Sequence, residues 1–85
     1  MKVAYAKAAR KVLMKIQPKV ALAIVEEMEQ VAAAPFARHP NVKPLVGTRD
    51  GFRLRHGDWR VVYRIDRAVD TVLVEAIGPR GGIYR

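Results

Sequence analysis

Four arginines in the second half of the chain recur at positions that β-strands would place on one face: Arg53, Arg55, Arg60 and Arg64. If Gly57 and Asp58 form the two-residue loop of a β-hairpin, Arg55 lies directly across from Arg60. Like charges opposite each other in a sheet are destabilising, so this arrangement favours an anion held between them. The pattern therefore predicts a polyanion site, and a merely solvated charged face is the alternative that it leaves open.

The two histidines are weaker candidates for chemistry. Histidine is the side chain best suited to acid–base chemistry near neutral pH, but the same hairpin turns His56 to the face opposite the arginines, beside Trp59, which favours a structural role. His39 lies in a proline-punctuated segment and is predicted to be a loop residue. With two histidines and no cysteine, the sequence favours neither a zinc site nor a disulfide scaffold.

Length and charge limit what can surround such a site. The chain has 85 residues, enough for one domain over residues 1–85 with a modest core and no deep cofactor pocket. Its net charge of +8 favours nucleic acid or an acidic protein as the partner. We find no secretory leader and no run of about 20 apolar residues, so the sequence predicts a cytoplasmic protein that does not enter a membrane.

Two amphipathic helices are predicted ahead of the arginines. From residue 6 to residue 16, apolar residues recur every three or four positions and basic residues occupy the other face. Pro18 suits the first turn of a second helix, whose apolar stripe extends to Val31. The two helices are expected to form an αα-hairpin.

Strand periodicity begins after a linker. Prolines across residues 35–47 predict a segment that neither continues a helix nor pairs well in a sheet. Alternation predicts strands over residues 51–56, 59–65 and 71–77, and residues 2–5 could add another. The fold class is therefore α+β, with the helical hairpin packed on a small antiparallel β-sheet. Five side chains are expected to face the helices: Phe52, Leu54, Val61, Tyr63 and Ile65.

Three segments resemble the RelE family of bacterial and archaeal toxins. They are residues 41–47 (NVKPLVG), residues 51–63 (GFRLRHGDWRVVY), and residues 76–80 with 83–85 (AIGPR and IYR). The predicted helical hairpin over residues 6–34 is also what that family places before its strands, so the resemblance covers nearly the whole chain. On these motifs the chain is identified as a RelE-type toxin of the RelE/ParE toxin–antitoxin superfamily, with the RelE/ParE-like fold.

The resemblance implies the toxin of a type II toxin–antitoxin system. Such a toxin would be a metal-independent endoribonuclease that cleaves translated mRNA in the ribosomal A site and so inhibits translation. The partners that it implies are a cognate antitoxin, the ribosome and mRNA, with neither a membrane nor a small-molecule cofactor. The catalytic residues that it implies by position are Arg53, Arg55, Arg60, Arg80 and Tyr84.

This chain departs from the family pattern at two places. Some members have lysine where Arg53 and Arg55 stand, and some continue into a C-terminal helix past the position of Arg85. Arginine stays protonated, so it can clamp a phosphate but is ill suited to proton transfer. Cleavage of RNA through its 2′-hydroxyl needs a base and an acid as well as charge stabilisation. Tyr84 is the better candidate for proton transfer, and stacking of its ring on a nucleobase is the alternative role.

Other interpretations of the same residues remain open. A ParE-type toxin of the same superfamily would inhibit DNA gyrase without nuclease chemistry. A catalytically inactive RelE-like module would keep the basic face and bind nucleic acid or a partner. The lysines of the first helix, Lys7, Lys11 and Lys15, form a solvated face by default, with ribosomal RNA phosphates as the alternative contact. Trp59 is expected to cap the core, and stacking on RNA is its alternative.

Overall fold

In the computed structural model, which describes residues 1–79, two helices pack on one face of a five-stranded sheet. The elements along the chain are β1 (Lys2–Tyr5), α1 (Lys7–Lys15), α2 (Pro18–Ala33), β2 (Val42–Pro44), β3 (Gly51–His56), β4 (Trp59–Asp66) and β5 (Thr71–Pro79). Their order across the sheet is β1-β5-β4-β3-β2. The predicted α+β class is confirmed.

The direction of β1 differs from the predicted antiparallel sheet. β1 pairs parallel with β5, with Val3 opposite Val72, whereas the remaining neighbouring strands pair antiparallel. The sheet is therefore mixed. Alternation of apolar and polar residues identifies a strand but carries no information about which neighbour it joins or in which direction, so the sequence could not fix this pairing.

The helices bury the faces that their periodicity indicates. Ala9 of α1 is fully buried, and the other apolar residues of that helix pack against the core. In α2, which begins at Pro18, the buried residues include Ile24, Met28 and Val31. Both stripes meet the inner face of the sheet, so the helices leave the outer face open for chemistry.

The linker over residues 35–47 contains a strand, which corrects the prediction that it would pair poorly. β2 forms the edge of the sheet, with Val42 opposite Leu54 and Pro44 opposite Phe52. Proline is tolerated on an edge strand because its missing N–H faces no neighbour there. Just before β2, Asn41 adopts a φ of 65°, in the left-handed region. The strand is only three residues long, so the prolines around it outweigh its strand signal in the sequence.

The β3–β4 hairpin has the predicted register. His56 pairs with Trp59, Arg55 with Arg60, and Leu54 with Val61. Gly57 turns the chain with a φ of 57°, a conformation that glycine adopts readily. As predicted, the helix side of the sheet holds Leu54, Val61, Tyr63 and Ile65, each at most 1% exposed, with Phe52 packed against them. This register fixes which arginines face outward.

Candidate functional site

Three arginines share the outer face of the sheet. Arg53 and Arg55 alternate with buried Leu54 on β3, and Arg60 lies across from Arg55 on β4. We call the surface formed by Arg53, Arg55 and Arg60 the arginine face. Arg55 is exposed, while Arg53 and Arg60 are half-buried. The structure therefore brings together the three described members of the predicted site and turns them away from the helices.

A concave pocket of about 320 Å³ opens on the arginine face. The residues that line it are Asn41, Val42, Lys43, Arg53, Arg55 and Arg60. Four of these side chains are cationic, and none of the described lining residues is acidic. Several cations clustered in a concavity create a positive potential there, which attracts an anion such as a phosphodiester.

Lys43 belongs to this pocket although the sequence did not single it out. It lies on the edge strand β2 directly opposite Arg53, so its side chain extends from the same outer face. The available signal was the alternation of Val42 with Lys43, in which Val42 packs against the core. Two positions are too few for period-two patterning, and the adjacent proline favoured a loop.

Arg60 is held close to the turn of the hairpin. Its Nη1 atom donates to the carbonyl oxygens of Gly57 at 3.3 Å and of Trp59 at 3.2 Å. Trp59 itself is half-buried and packs against the core, in agreement with its predicted role as a cap. The backbone contacts restrict where the Arg60 guanidinium can lie while leaving its other N–H groups available to a ligand.

Arg64 stands apart from the other three arginines, which corrects the expectation of four cations without acidic neighbours. Its guanidinium lies 3.7 Å from the carboxylate of Asp66 and 3.6 Å from that of Glu75. The register of β4 and β5 shifts between Val62 and Tyr63, which makes Glu75 the extra residue of a bulge. Because sequence alternation does not reveal a bulge, the acidic partner could not be foreseen.

The histidines lie away from the arginine face. His56 is hydrogen-bonded through Nδ1 to the carboxylate of Glu27 on α2, which ties the hairpin to that helix. The Nε2 atom of His39 donates to the carbonyl oxygen of Ala34 at 2.7 Å. These contacts agree with the predicted structural role of His56 and the loop position of His39. Within residues 1–79 no group of three or more side chains could hold a metal ion.

Two tyrosines on the helix side are unsuited to proton transfer near neutral pH. Burial raises the pKa of the Tyr63 phenol to about 12. Burial also raises the pKa of Tyr5, and the charge of Glu29 adds to that shift. Both phenols therefore stay protonated at neutral pH, and both lie on the opposite side of the sheet from the pocket.

The last two residues of the predicted site, Arg80 and Tyr84, lie outside the described residues. Their roles therefore stay predictions. The described part of the chain ends at Pro79, which pairs with Trp59 at the start of β4, next to the pairing of Gly78 with Arg60. No helix within residues 1–79 is long and apolar enough to cross a membrane.

Comparisons with known proteins agree on one family. A sequence model of the family described as the ParE toxin of the type II toxin–antitoxin system parDE matches residues 3–84. The toxin–antitoxin complex RelBE2 from Mycobacterium tuberculosis contains a chain with 30% identity and a TM-score of 0.72, covering 93% of this chain and 96% of that one. No curated protein matches the chain significantly.

Two further solved structures extend this likeness. In the archaeal RelE–RelB complex from Pyrococcus horikoshii, the similar chain has 26% identity and a TM-score of 0.79, with 95% of this chain and 96% of that one covered. The isolated Escherichia coli RelE toxin has 19% identity and a TM-score of 0.81, with coverage of 98% and 87%. At that identity the last comparison shows a shared fold.

Proposed function

The chain belongs to the family of ParE toxins of type II toxin–antitoxin systems, within the RelE/ParE superfamily, and we propose that it cleaves translated messenger RNA in the ribosomal A site. This activity would make it a metal-independent endoribonuclease that inhibits translation. The observation that carries the proposal is the pocket on the arginine face, where Arg55 and Arg60 lie opposite each other without an acidic lining residue among those described.

The arginine face suits a phosphodiester in the act of cleavage. As the 2′-hydroxyl oxygen attacks, negative charge builds on the non-bridging phosphate oxygens. Guanidinium groups present paired N–H donors that match phosphate oxygens, and they keep their charge throughout the reaction. We assign this stabilisation to Arg53, Arg55 and Arg60. Since mutual repulsion of Arg55 and Arg60 is relieved when an anion binds, the pocket is prepared for a charged substrate.

Two roles in the proposed reaction rest on the family resemblance. Arg80 would contact the scissile phosphate or the leaving oxygen, and Tyr84 would transfer a proton or stack on a base. A phenolate is favoured when cations surround it, which is the physical reason for placing Tyr84 in the proton-transfer role.

A cognate antitoxin is the proposed protein partner. The similar structures from M. tuberculosis and P. horikoshii are complexes of a toxin with its antitoxin. A net charge of +8 would favour an acidic, partly disordered antitoxin segment that folds as it binds. Covering the pocket would neutralise its cations and exclude RNA.

DNA gyrase inhibition is the second candidate, favoured by the description of the matched family as ParE. Gyrase inhibition would act through protein contacts and would not require a phosphate clamp. A third possibility, an inactive binding module, would keep the arginine face without turnover. The three functions predict different damage in a cell: cut messages, broken DNA, or neither.

Inducible expression in bacteria separates the three functions. Primer extension on a translated message should reveal discrete cuts within codons, and the cuts should disappear when the start codon of that message is removed. Growth arrest with double-strand DNA breaks and intact messages would support gyrase inhibition instead. If the purified protein binds programmed ribosomes but makes no cut in the message, the result would support the inactive binding module.

A further inference from the structure

Lys43 brings a side chain of different chemistry to the arginine pocket. It lines the pocket with Arg53, Arg55 and Arg60, and it faces Arg53 across the pairing of β2 with β3. The side chain is exposed, so it can reach a substrate held in the pocket. It lies on the edge strand β2, and within residues 1–79 no further strand pairs with β2 on the side away from β3.

The proposed reaction needs a group that the arginines do not supply. When RNA is cleaved through its 2′-hydroxyl, the bond between phosphorus and the 5′-oxygen breaks, and the departing oxygen requires a proton. A guanidinium does not give up its proton in a protein, whereas an ammonium does. Among the described residues that line the pocket, Lys43 is the one whose side chain can act as a proton donor and then recover its proton from water.

Two other proton carriers, His56 and Tyr63, lie on the opposite side of the sheet from the pocket. His56 points to Glu27 on the helix side, and Tyr63 is buried beneath the sheet with its pKa raised to about 12. Neither can reach an oxygen on the arginine face without crossing the sheet. Lys43 is on the correct face, within the same pocket as the clamp.

We propose that Lys43 is the general acid of this toxin, which protonates the 5′-oxygen of the departing nucleotide. The inference rests on the proposed ribonuclease function. In the step, the 2′-oxygen forms a bond to phosphorus and loses its proton to a solvent water molecule, while the bond between phosphorus and the 5′-oxygen breaks. A proton moves from the Lys43 Nζ atom to that oxygen. The products are a 2′,3′-cyclic phosphate and a 5′-hydroxyl, and the neutral amine takes a proton from water.

The Lys43→Arg variant tests this role because it keeps the positive charge and removes the proton donor. Single-turnover cleavage on saturating programmed ribosomes should fall by about 10²- to 10⁴-fold, the usual contribution of general acid catalysis, with little change in ribosome affinity. Lys2→Arg is the matched control, since Lys2 is an exposed lysine on the opposite edge strand β1. That control should cleave at the parent rate.

A message with sulfur in place of the scissile 5′-oxygen tests whether Lys43 acts by donating a proton or only through its charge and shape. Sulfur leaves as a thiolate without needing a proton, so Lys43→Arg should cleave this substrate within a few-fold of the parent rate. If the parent protein cleaves the normal message and Lys43→Arg cleaves it equally fast, the inference is overturned. It is also overturned if Lys43→Arg cleaves both the normal and the sulfur-containing message more slowly than the parent. Failure of the parent protein itself to cut would instead overturn the proposed function, and with it the inference.

Discussion

At the scale of single residues, the pocket divides its chemistry between groups that hold charge and a group that can move a proton. Guanidinium groups keep their charge in proteins, so Arg53, Arg55 and Arg60 are suited to constant stabilisation of phosphate charge. Lys43 faces Arg53 and carries a transferable proton. Where some members of the RelE family place lysines on β3, this chain has arginines there and a lysine on the neighbouring strand.

Arg60→Ala should lower cleavage through loss of phosphate stabilisation. We expect the single-turnover rate to fall by roughly 10²- to 10³-fold, as for other single stabilisers of transition-state charge, and RNA binding to weaken as well. The matched control is Arg64→Ala on the same strand, because Arg64 is engaged by Asp66 and Glu75 outside the pocket. Equal losses in both variants would mean that overall charge, rather than the pocket, determines the rate.

Tyr63→Phe should change how stability depends on pH at the alkaline end. Burial raises the Tyr63 pKa from 10.0 to about 12, so the folded protein retains a proton that the unfolded chain releases. The stabilisation is complete below about pH 10 and is lost as pH rises toward 12. Between about pH 8 and about pH 11, the parent should lose roughly 1 kcal/mol more unfolding free energy than the variant.

Urea unfolding of both proteins at the two pH values measures this difference. Tyr5, whose pKa is also raised by burial, is present in both proteins and cancels in the comparison. Parallel pH profiles of the parent and Tyr63→Phe would show that the buried phenol ionises with similar ease in the folded and unfolded states.

The sequence predicts the register of the arginine face correctly, but it does not indicate Lys43 and it wrongly adds Arg64. The Gly57–Asp58 turn fixed the opposition of Arg55 and Arg60, because a two-residue loop determines the register of a hairpin. Lys43 was missed since its strand is too short to show a period. Arg64 was grouped with the clamp because the β5 bulge, which presents Glu75, has no signature in one sequence.

At the scale of elements, successive residues of β3 point alternately into the core and to the arginine face. Leu54 is 1% exposed on the helix side, whereas Arg53 and Arg55 extend from the other face. The strand therefore anchors the arginines through the core beneath them. The periodicity of the sequence predicts the paired helices and the three longer strands. It does not predict the parallel pairing of β1, because that pairing depends on which edge of the folded sheet is available to a further strand.

Replacement of neighbouring residues on β3 should separate these two contributions. Leu54→Ala should lower the free energy of unfolding by about 2 to 5 kcal/mol, because it opens a cavity between the sheet and the helices. Arg55→Ala should change stability by less than about 0.5 kcal/mol or increase it slightly, since its repulsion with Arg60 disappears. Urea unfolding measures both, and cleavage assays should show the larger loss for Arg55→Ala.

A destabilised Arg55→Ala protein would contradict this division. Such a result would mean that the arginine side chain contributes packing across the outer face that outweighs the repulsion. Arg53→Ala would then be the informative comparison, because Arg53 lies opposite Val62 and so has no cation across from it on β4.

At the scale of the whole molecule, two clusters of basic residues lie on different surfaces. One is the arginine face of the sheet. The other is the basic helix face, formed by the exposed residues Lys7, Arg10, Lys11 and Lys15 of α1. The helices cover the inner side of the sheet, so these two surfaces point in different directions. A single short RNA would therefore contact one of them at a time, whereas a ribosome could surround both.

The salt dependence of binding should reveal which surface is engaged. Neutralising one phosphate of a single strand contributes about −0.7 to the slope of log K against log salt, so the four pocket cations predict a slope of roughly −3 on a short single-stranded RNA. A triple variant of Lys7, Lys11 and Lys15 to Gln should leave that slope unchanged. On programmed ribosomes the same variant should bind more weakly and with a shallower slope, because contacts to ribosomal RNA phosphates position the toxin without reading sequence.

The matched control replaces Lys43, Arg53 and Arg55 with Gln, which removes the same amount of charge from the pocket. This variant should make the salt dependence shallower on both the short RNA and the programmed ribosome. Net charge acting at long range would instead make the two triple variants equivalent, because each loses three cations from a chain of +8. Local contacts make them differ, because screening at physiological salt confines electrostatic attraction to about 8 Å. Equal slopes for the two variants on the short RNA would therefore remove the pocket from its proposed role as the phosphate site.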